Sequence, residues 1–258
     1  MSAIHSSVCA GLIALAMPTI SSALIVDWLV LEAGHTSSTF ALADDNGVTR
    51  ANGTLSFSNG LPFPGRPTPF LLSSENFADS TGLTDTVTGD STLPALEFRI
   101  LPIDESEPLS YDIVLEVTPG RSFVIALGGL LRDSNGEATE TVLLNAFSDT
   151  GFAAITLLGT SAWDDGEFNR FVGPLEWIPH VPVLNPAADN LGDSQIAFVQ
   201  VDPLIGSNPI ISLSFANGYN IGFGDPIILG VGMVIPEPKT YALLFGLAAL
   251  LTAAFRRR

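Results

Sequence analysis

Short apolar segments separated by glycine, proline, asparagine and aspartate recur along the chain, and they limit its fold more than any other feature. The clearest segment places Tyr111, Ile113, Leu115 and Val117 at alternate positions, which is typical of a half-buried strand. Between the two chain ends, no window shows a sustained helical period with capping residues. Strands spaced by roughly ten residues predict an all-β, antiparallel fold of the β-sandwich or jelly-roll-like kind. The other predicted strands are 24–31, 50–58, 123–131, 138–147, 152–158, 196–201, 210–215 and 227–234.

Turn-forming residues predict how these strands are connected. Pro119-Gly120 suits the centre of a turn and predicts a hairpin between 111–117 and 123–131. The second of these strands is apolar throughout, so we expect it to be central and covered on both faces. Further turns at 133–136 and 148–151 would continue the chain as a meander. The segment 61–69 contains four prolines and is expected to be a loop.

The first twenty-three residues have the features of a secretory signal peptide. An apolar stretch, Val8 to Met17, is broken by Pro18 and followed by the small residues Ser21-Ser22-Ala23. This order predicts a signal helix and cleavage after Ala23, with an uncleaved anchor as the alternative. The remaining 24–234 segment is then the exported ectodomain. Its length suits one large β domain, although two smaller domains would also fit.

Charge and cysteine content exclude several classes of function. Residues 24–235 contain six arginines, no lysine and 26 acidic residues, which gives a formal charge of 6 − 26 = −20. Such a surface repels nucleic acid and tolerates divalent cations or neutral glycans, although it also simply favours solubility. Cys9 is the only cysteine, and it lies within the predicted signal. The mature chain therefore has no disulfide, thiol nucleophile or cysteine-based metal site.

The C-terminal end combines a rigid motif, an apolar run and a basic cluster. Pro236-Glu237-Pro238 is expected to be extended, because proline fixes φ and lacks an amide donor. Tyr241 to Phe255 contains fifteen residues without a charge, enough for a transmembrane helix of about 23 Å. Arg256, Arg257 and Arg258 are expected to remain on the cytoplasmic side. An ordinary C-terminal membrane anchor is the alternative interpretation.

Residues 235–258 resemble the PEP-CTERM sorting signal of Gram-negative bacteria. The match consists of Pro236-Glu237-Pro238, the following apolar helix with Gly246, and the terminal arginines; Lys239 stands where members often carry Ser or Thr. The resemblance implies recognition by an exosortase, a membrane-embedded transpeptidase, and removal of the tail near the motif. It also implies an inner-membrane intermediate, delivery to the cell surface or extracellular space, and an association with exopolysaccharide and biofilm matrix. It implies no activity for the ectodomain.

Two acidic turns invite comparison with calcium loops. Asp133-Ser134-Asn135-Gly136-Glu137 has oxygen-bearing side chains at alternate positions, but the twelfth position would be Leu144 and not a glutamate. A hairpin turn, in which Asn-Gly supplies positive φ, explains the same residues. The same choice applies to Asp44-Asp45-Asn46-Gly47. We therefore predict turns and no required cofactor, with calcium as the alternative.

Trp163-Asp164-Asp165-Gly166-Glu167 places an aromatic ring beside three acids. Such a combination suits sugar binding, because sugars offer an apolar face and many hydroxyl groups. A glycosidase would need two opposed carboxyls about 5–9 Å apart, which adjacent loop residues rarely provide. A tryptophan in the core with solvated acids beside it is the simpler interpretation.

His35 and His180 are the only histidines outside the predicted signal, and no hydrolase, metalloprotease or phosphate-binding motif is present. Asn52-Gly53-Thr54 fits a glycosylation acceptor, a pattern common by chance. We therefore predict a non-catalytic surface or matrix protein, structural or exopolysaccharide-associated. The alternatives are a carbohydrate-active enzyme or glycan-binding module with the same tail, and a calcium-stabilised matrix protein. A binding module needs a ring on an open face, whereas an enzyme needs facing carboxyls in a cleft.

Overall fold

The described part of the protein is built from antiparallel strands, as the sequence predicts. The computed structural model describes residues 24–235 except 63, 66–67, 73–92, 105–106, 108, 129–140, 164–174, 179–182, 187–193 and 217–226. None of the described residues lies in a helix, and accordingly nothing among them could cross a bilayer as one. The predicted signal helix, the sorting motif and the predicted transmembrane helix lie outside the described residues.

The strands form two large sheets, sheet I and sheet II, and a two-stranded ribbon. Sheet I has the order β13-β16-β10-β18-β7-β6, with β1 also paired to β18. Sheet II has the order β14-β15-β11-β17-β9-β4-β3-β2, with β12 also paired to β11, and β5 pairs with β8 in the ribbon. The strands are β1 Val26–Trp28, β2 Val30–Leu31, β3 Thr39–Ala43, β4 Thr49–Ser58, β5 Gly60–Pro62, β6 Phe70–Leu72, β7 Ala95–Phe98, β8 Ile100–Pro102, β9 Ser110–Val117, β10 Phe123–Gly128, β11 Thr141–Ser148, β12 Gly151–Phe152, β13 Ile155–Trp163, β14 Leu175–Ile178, β15 Val183–Pro186, β16 Ser194–Val201, β17 Ile210–Ala216 and β18 Ile227–Val234.

A single apolar cluster contains side chains from both sheets. Sheet II contributes the alternate residues predicted from the sequence, such as Ile113 and Leu115, both fully buried. Sheet I contributes Phe123, Ile125 and their neighbours from the central strands. Because alternate residues of a strand point to opposite faces, the other face of sheet II carries mainly polar residues, with a few apolar ones such as Ile210 and Phe147.

Sheet I is also covered on its other face. A second cluster there includes Trp28, Ala126, Phe198 and Ile228, all buried. Trp28 lies opposite Gly232 in the pairing of β1 with β18, and its ring occupies the space that a side chain at position 232 would need. The ring meets Phe198 edge-on at a centroid distance of 6.4 Å. Burial on both faces explains why β10 and β18 are apolar throughout.

The first and last described strands are paired in sheet I. β1 pairs with β18, and the Ile235 amide donates to the Ile25 carbonyl at 2.8 Å. The predicted strand 24–31 is therefore confirmed, but it divides: β1 joins sheet I, whereas β2 pairs with β3 in sheet II. The predicted strands at 50–58, 196–201, 210–215 and 227–234 are confirmed as β4, β16, β17 and β18.

The predicted hairpin around Pro119-Gly120 is wrong in its pairing. Gly120 has the positive φ of a turn residue, 72°, but β9 pairs with β4 and β17 in sheet II while β10 pairs with β16 and β18 in sheet I. The turn therefore carries the chain from one sheet to the other. The predicted turn at 148–151 is confirmed, because it joins β11 to its antiparallel partner β12. The meander as a whole is wrong, because β10 and β13 lie in sheet I whereas β11 lies in sheet II.

The proline-rich loop also needs a correction. Leu61 and Pro62 belong to β5, where Pro62 lies opposite Ile100. β5 is an edge strand, because its sheet has only two strands, and an edge strand tolerates the missing donor of a proline.

Candidate functional site on the outer face of sheet II

The outer face of sheet II carries polar side chains because each central strand alternates strictly. On β4, Asn52, Thr54 and Ser56 are exposed between buried or half-buried neighbours. On β9, the exposed residues are Ser110, Asp112 and Glu116. β17 contributes Ser212 and Ser214, both half-buried. The result is an open surface of hydroxyl, amide and carboxylate groups.

One row of side chains crosses this face from strand to strand. Pairing places Asn52 opposite Glu116, Glu116 opposite Ile210, Ile210 opposite Phe147, and Phe147 opposite Phe152. We call these five residues the transverse row. Directly opposed residues of neighbouring strands are on the same face, and strands lie about 4.8 Å apart, so the row is about 19 Å long.

Two phenylalanines form the apolar end of the transverse row. Phe152 is 82% exposed and Phe147 is 36% exposed. Their ring centroids lie 6.0 Å apart with the ring planes tilted by 58°. The two rings contact each other, and Phe152 leaves most of its side chain to solvent while Phe147 leaves a smaller part, so burial in the core does not account for the position of Phe152.

The turn that presents Phe152 is held in place by a neighbouring loop. The side-chain hydroxyls of Ser148 and Thr150 both donate to the Ile205 carbonyl. The Asp149 carboxylate accepts from the Ser207 amide at 3.0 Å and from the Ser207 hydroxyl at 2.6 Å. The turn that carries Phe152 is therefore held in place without a ligand, so binding would not have to order its backbone.

The polar end of the transverse row opens into a cleft. The cleft has a volume of about 350 Å³ and is bordered by the start of β4, the end of β9 and the loop before β17. Its lining supplies hydrogen-bonding groups from Arg50, Asn52, Glu116, Thr118 and Asn208. Ligand sites are commonly concave regions in which a few polar groups converge.

The two carboxylates of β9 are not arranged as a glycosidase pair. Asp112 and Glu116 are four residues apart on one strand, so their Cα atoms are separated by about 13 Å. Opposed catalytic carboxyls lie about 5–9.5 Å apart. Within the described residues, no group of three or more His, Cys, Asp or Glu side chains is placed to hold a metal ion.

The acidic turn at 44–47 is a hairpin turn between β3 and β4. The Gly47 amide donates to the Asp44 carbonyl at 2.8 Å, and Gly47 has a φ of 73°. The Asp44 carboxylate accepts from the Asn46 and Val48 amides and pairs with the Arg50 guanidinium at 2.6 Å. The Val48 amide, together with Arg50 and Asn46, holds the pKa of Asp44 below its ordinary value in spite of burial. The interpretation of 44–47 as a hairpin turn is confirmed, and the Asp44 carboxylate is already bonded to two amides and to Arg50.

Asp27 lies near this turn in less favourable surroundings. Partial burial, followed by the charges of Asp45 and Asp44, raises the pKa of Asp27, although the Asp45 amide partly offsets this. One carboxylate oxygen of Asp27 is buried and has no hydrogen-bond partner. The ionised form is therefore less stable in the folded protein than in the unfolded chain.

Asp27→Asn is expected to stabilise the protein at pH 7. Below the pKa that Asp27 has in the unfolded chain, its carboxyl is protonated in both states and the stability that it contributes is fully present. As the pH rises through its higher pKa in the folded protein, ionisation removes that stability. Asparagine cannot ionise and therefore avoids the loss. Because the side chain is partly exposed, we expect a gain of about 0.2–1 kcal/mol in the free energy of unfolding. Chemical denaturation at pH 7 and near pH 3 would measure it. The gain should vanish at the lower pH, and Asp112→Asn, which removes an exposed charge elsewhere, should not reproduce it.

The other candidates from the sequence fall in different places. His35 is half-buried, and its Nδ1 has no hydrogen-bond partner within the structure. Trp163 is the last residue of β13, while the four residues that follow it lie outside the described chain. The turn at 133–137 and His180 also lie outside it. Asn52, from the glycosylation pattern, is exposed within the transverse row.

Sequence reasoning missed the two phenylalanines. The sequence pattern places Phe147 and Phe152 in strands but does not predict their shared exposure. A usable signal was present, because the turn 148–151 separates them and a hairpin of that length places its flanking residues opposite each other. The strands that pair with the rest of β11, β15 and β17, cannot be predicted from the local sequence.

The fold and its outer face define an antiparallel, all-β protein with an open polar surface edged by aromatic rings. Comparison of the chain with protein-family models, with curated proteins and with solved structures finds no match.

Proposed function

We propose that the protein is an exported, non-catalytic surface or matrix protein that associates with extracellular polysaccharide. In this proposal residues 24–234 form a β-sandwich of jelly-roll-like type. A signal helix precedes it, and a PEP-CTERM sorting signal with a transmembrane helix follows it. The partners are an exosortase, the inner membrane before processing, and exopolysaccharide at the destination. The open outer face of sheet II carries the proposal, because long polymers need an accessible surface and not a closed pocket.

The positions of the terminal strands support removal of both ends. β1 begins at Val26, after the proposed cleavage at Ala23, and β18 ends at Val234, before Pro236. Loss of residues 1–23 and of the tail would therefore leave every described strand complete. The pairing of β1 with β18 brings both junctions together, so both could face the same membrane surface during export.

Changing the sorting motif tests this fate. Glu237→Ala, within the Pro-Glu-Pro motif, is expected to leave the protein in the membrane fraction with its tail attached. Lys239→Ser, which keeps the motif and introduces a residue common in the family, should be processed at least as well as the wild type. Mass spectrometry of the membrane and extracellular forms would locate both ends. Recovery of extracellular wild-type protein that still carries Arg256 to Arg258 would contradict the proposal.

A further inference from the structure

The geometry points to the transverse row as a binding track for an uncharged polysaccharide, with pyranose rings stacked on Phe152 and Phe147 and hydroxyl groups bound by Glu116 and Asn52. This inference rests on the proposed function and names the chemical class of its partner and the residues that bind it.

The apolar end of the row provides a stacking surface. A pyranose has one face of C–H groups, which packs favourably on an aromatic ring and removes both from water. Phe152 is 82% exposed and borders Phe147 directly, so two rings offer a joint apolar surface at one edge of an otherwise polar face. A single exposed apolar residue needs no explanation, whereas two adjacent aromatic rings in line with polar side chains indicate an interaction surface.

The polar end provides groups that match vicinal hydroxyls. Glu116 offers acceptors and Asn52 offers both a donor and an acceptor, and the two lie opposite each other at the cleft. Between the two ends, Ile210 is half-buried and carries no polar group, so it leaves a smooth floor. A row of about 19 Å favours a linear chain of several sugar units over a single one.

The charge of the face selects among polysaccharides. Asp112 and Glu116 are its exposed ionisable groups on β9, and the Arg50 guanidinium at the cleft is paired with Asp44. The mature chain as a whole has a formal charge of −20. An anionic polymer would be repelled. The overall charge would attract a cationic polymer without selectivity, but Glu116 is the single charged member of the row, and the other four members, one amide and three apolar side chains, recognise no cation. An uncharged polymer fits best.

Affinity electrophoresis would test the row on the protein expressed from its full sequence and recovered, after processing, from the cell surface. The gels would contain laminarin, galactomannan or hydroxyethyl cellulose as neutral polymers, alginate as an anionic polymer, or chitosan as a cationic one. We expect at least one neutral polymer to retard the wild type and alginate not to. Phe152→Ala and Glu116→Gln should each weaken that binding by about tenfold or more.

The variants include a matched control. Ile103→Ala removes a large apolar side chain that is 65% exposed and lies outside sheet II, so binding should not change. Equal melting temperatures would show that Phe152→Ala, which alters an exposed side chain, leaves the fold intact.

The outcomes distinguish failure of the transverse row as a binding site from failure of the proposed polysaccharide association. Neutral-polymer binding that survives both substitutions would overturn the transverse row while leaving the polysaccharide association standing. Retardation by alginate or chitosan alone would overturn the uncharged class. If the protein bound none of these polymers and also failed to bind polysaccharide extracted from the producing cells, both the transverse row and the polysaccharide association would be overturned.

Discussion

Trp28→Ala is expected to lower the free energy of unfolding by about 3–5 kcal/mol, the usual cost of truncating a buried tryptophan. The side chain is 5% exposed and covers Gly232, which has no side chain of its own to fill the space. It also meets the ring of Phe198 edge-on. Removing the indole would leave a cavity over β18 that backbone relaxation could close only by pulling β1 inward.

The same substitution should loosen the pairing of the first and last strands. Leu29 donates its amide to Val231, and Ile235 donates its amide to Ile25. Hydrogen exchange at these two amides should accelerate in Trp28→Ala more than exchange in β9, which belongs to the other sheet. Guanidinium denaturation would measure the global loss.

Two controls separate packing from the indole nitrogen. Trp28→Phe keeps a ring over Gly232 and removes Nε1, which is buried without a hydrogen-bond partner in the described structure. It should cost much less than the alanine substitution, because no satisfied polar group is lost. Ile25→Ala, at an exposed position beside β1, should change stability by no more than about 0.5 kcal/mol. A similar loss for all three substitutions would contradict the proposed role of the ring.

Strand positions could be predicted from the sequence because they depend on local alternation. Tyr111 to Val117 shows the point: four alternate residues are buried and three between them are exposed or half-buried. Gly120 likewise predicts a positive φ from its own chemistry. These features require no knowledge of which strand lies alongside.

Strand partners could not be predicted in the same way. A turn such as Pro119-Gly120 reverses the chain, but it does not state whether the next strand stays in the same sheet or crosses the core. β10 is buried on both faces, so its sequence is compatible with any apolar neighbour. Here it pairs with β16 and β18, from much later in the chain.

The candidate site depends on strand pairing, which could not be predicted from the sequence. Asn52, Glu116 and Phe147 come from three strands far apart in sequence, and only the register of β4, β9, β17 and β11 aligns them. A shift of one residue in any pairing would turn that side chain into the core. Local sequence therefore predicted a polar face without predicting the row that crosses it.

Gly53→Ala is expected to destabilise the protein by about 1–3 kcal/mol or more, the cost of overpacking a filled core. Phe40 lies opposite Gly53 in the pairing of β3 with β4, and its ring lies directly over the glycine. An added Cβ would lie closer to three ring carbons than nonbonded atoms approach. The ring cannot simply move away, because its other side meets Phe98 of sheet I at a centroid distance of 5.8 Å.

A double-mutant cycle isolates this contact from any general effect on β4. Phe40→Leu shortens the side chain over Gly53, so Gly53→Ala should cost clearly less in the Phe40→Leu background than in the wild type. Thr54→Ala, at the next position on the exposed face, serves as the control and should be nearly neutral. Urea denaturation of the four members of the cycle gives the coupling energy. Strictly additive losses would show that the contact between the Phe40 ring and residue 53 does not set the cost of Gly53→Ala.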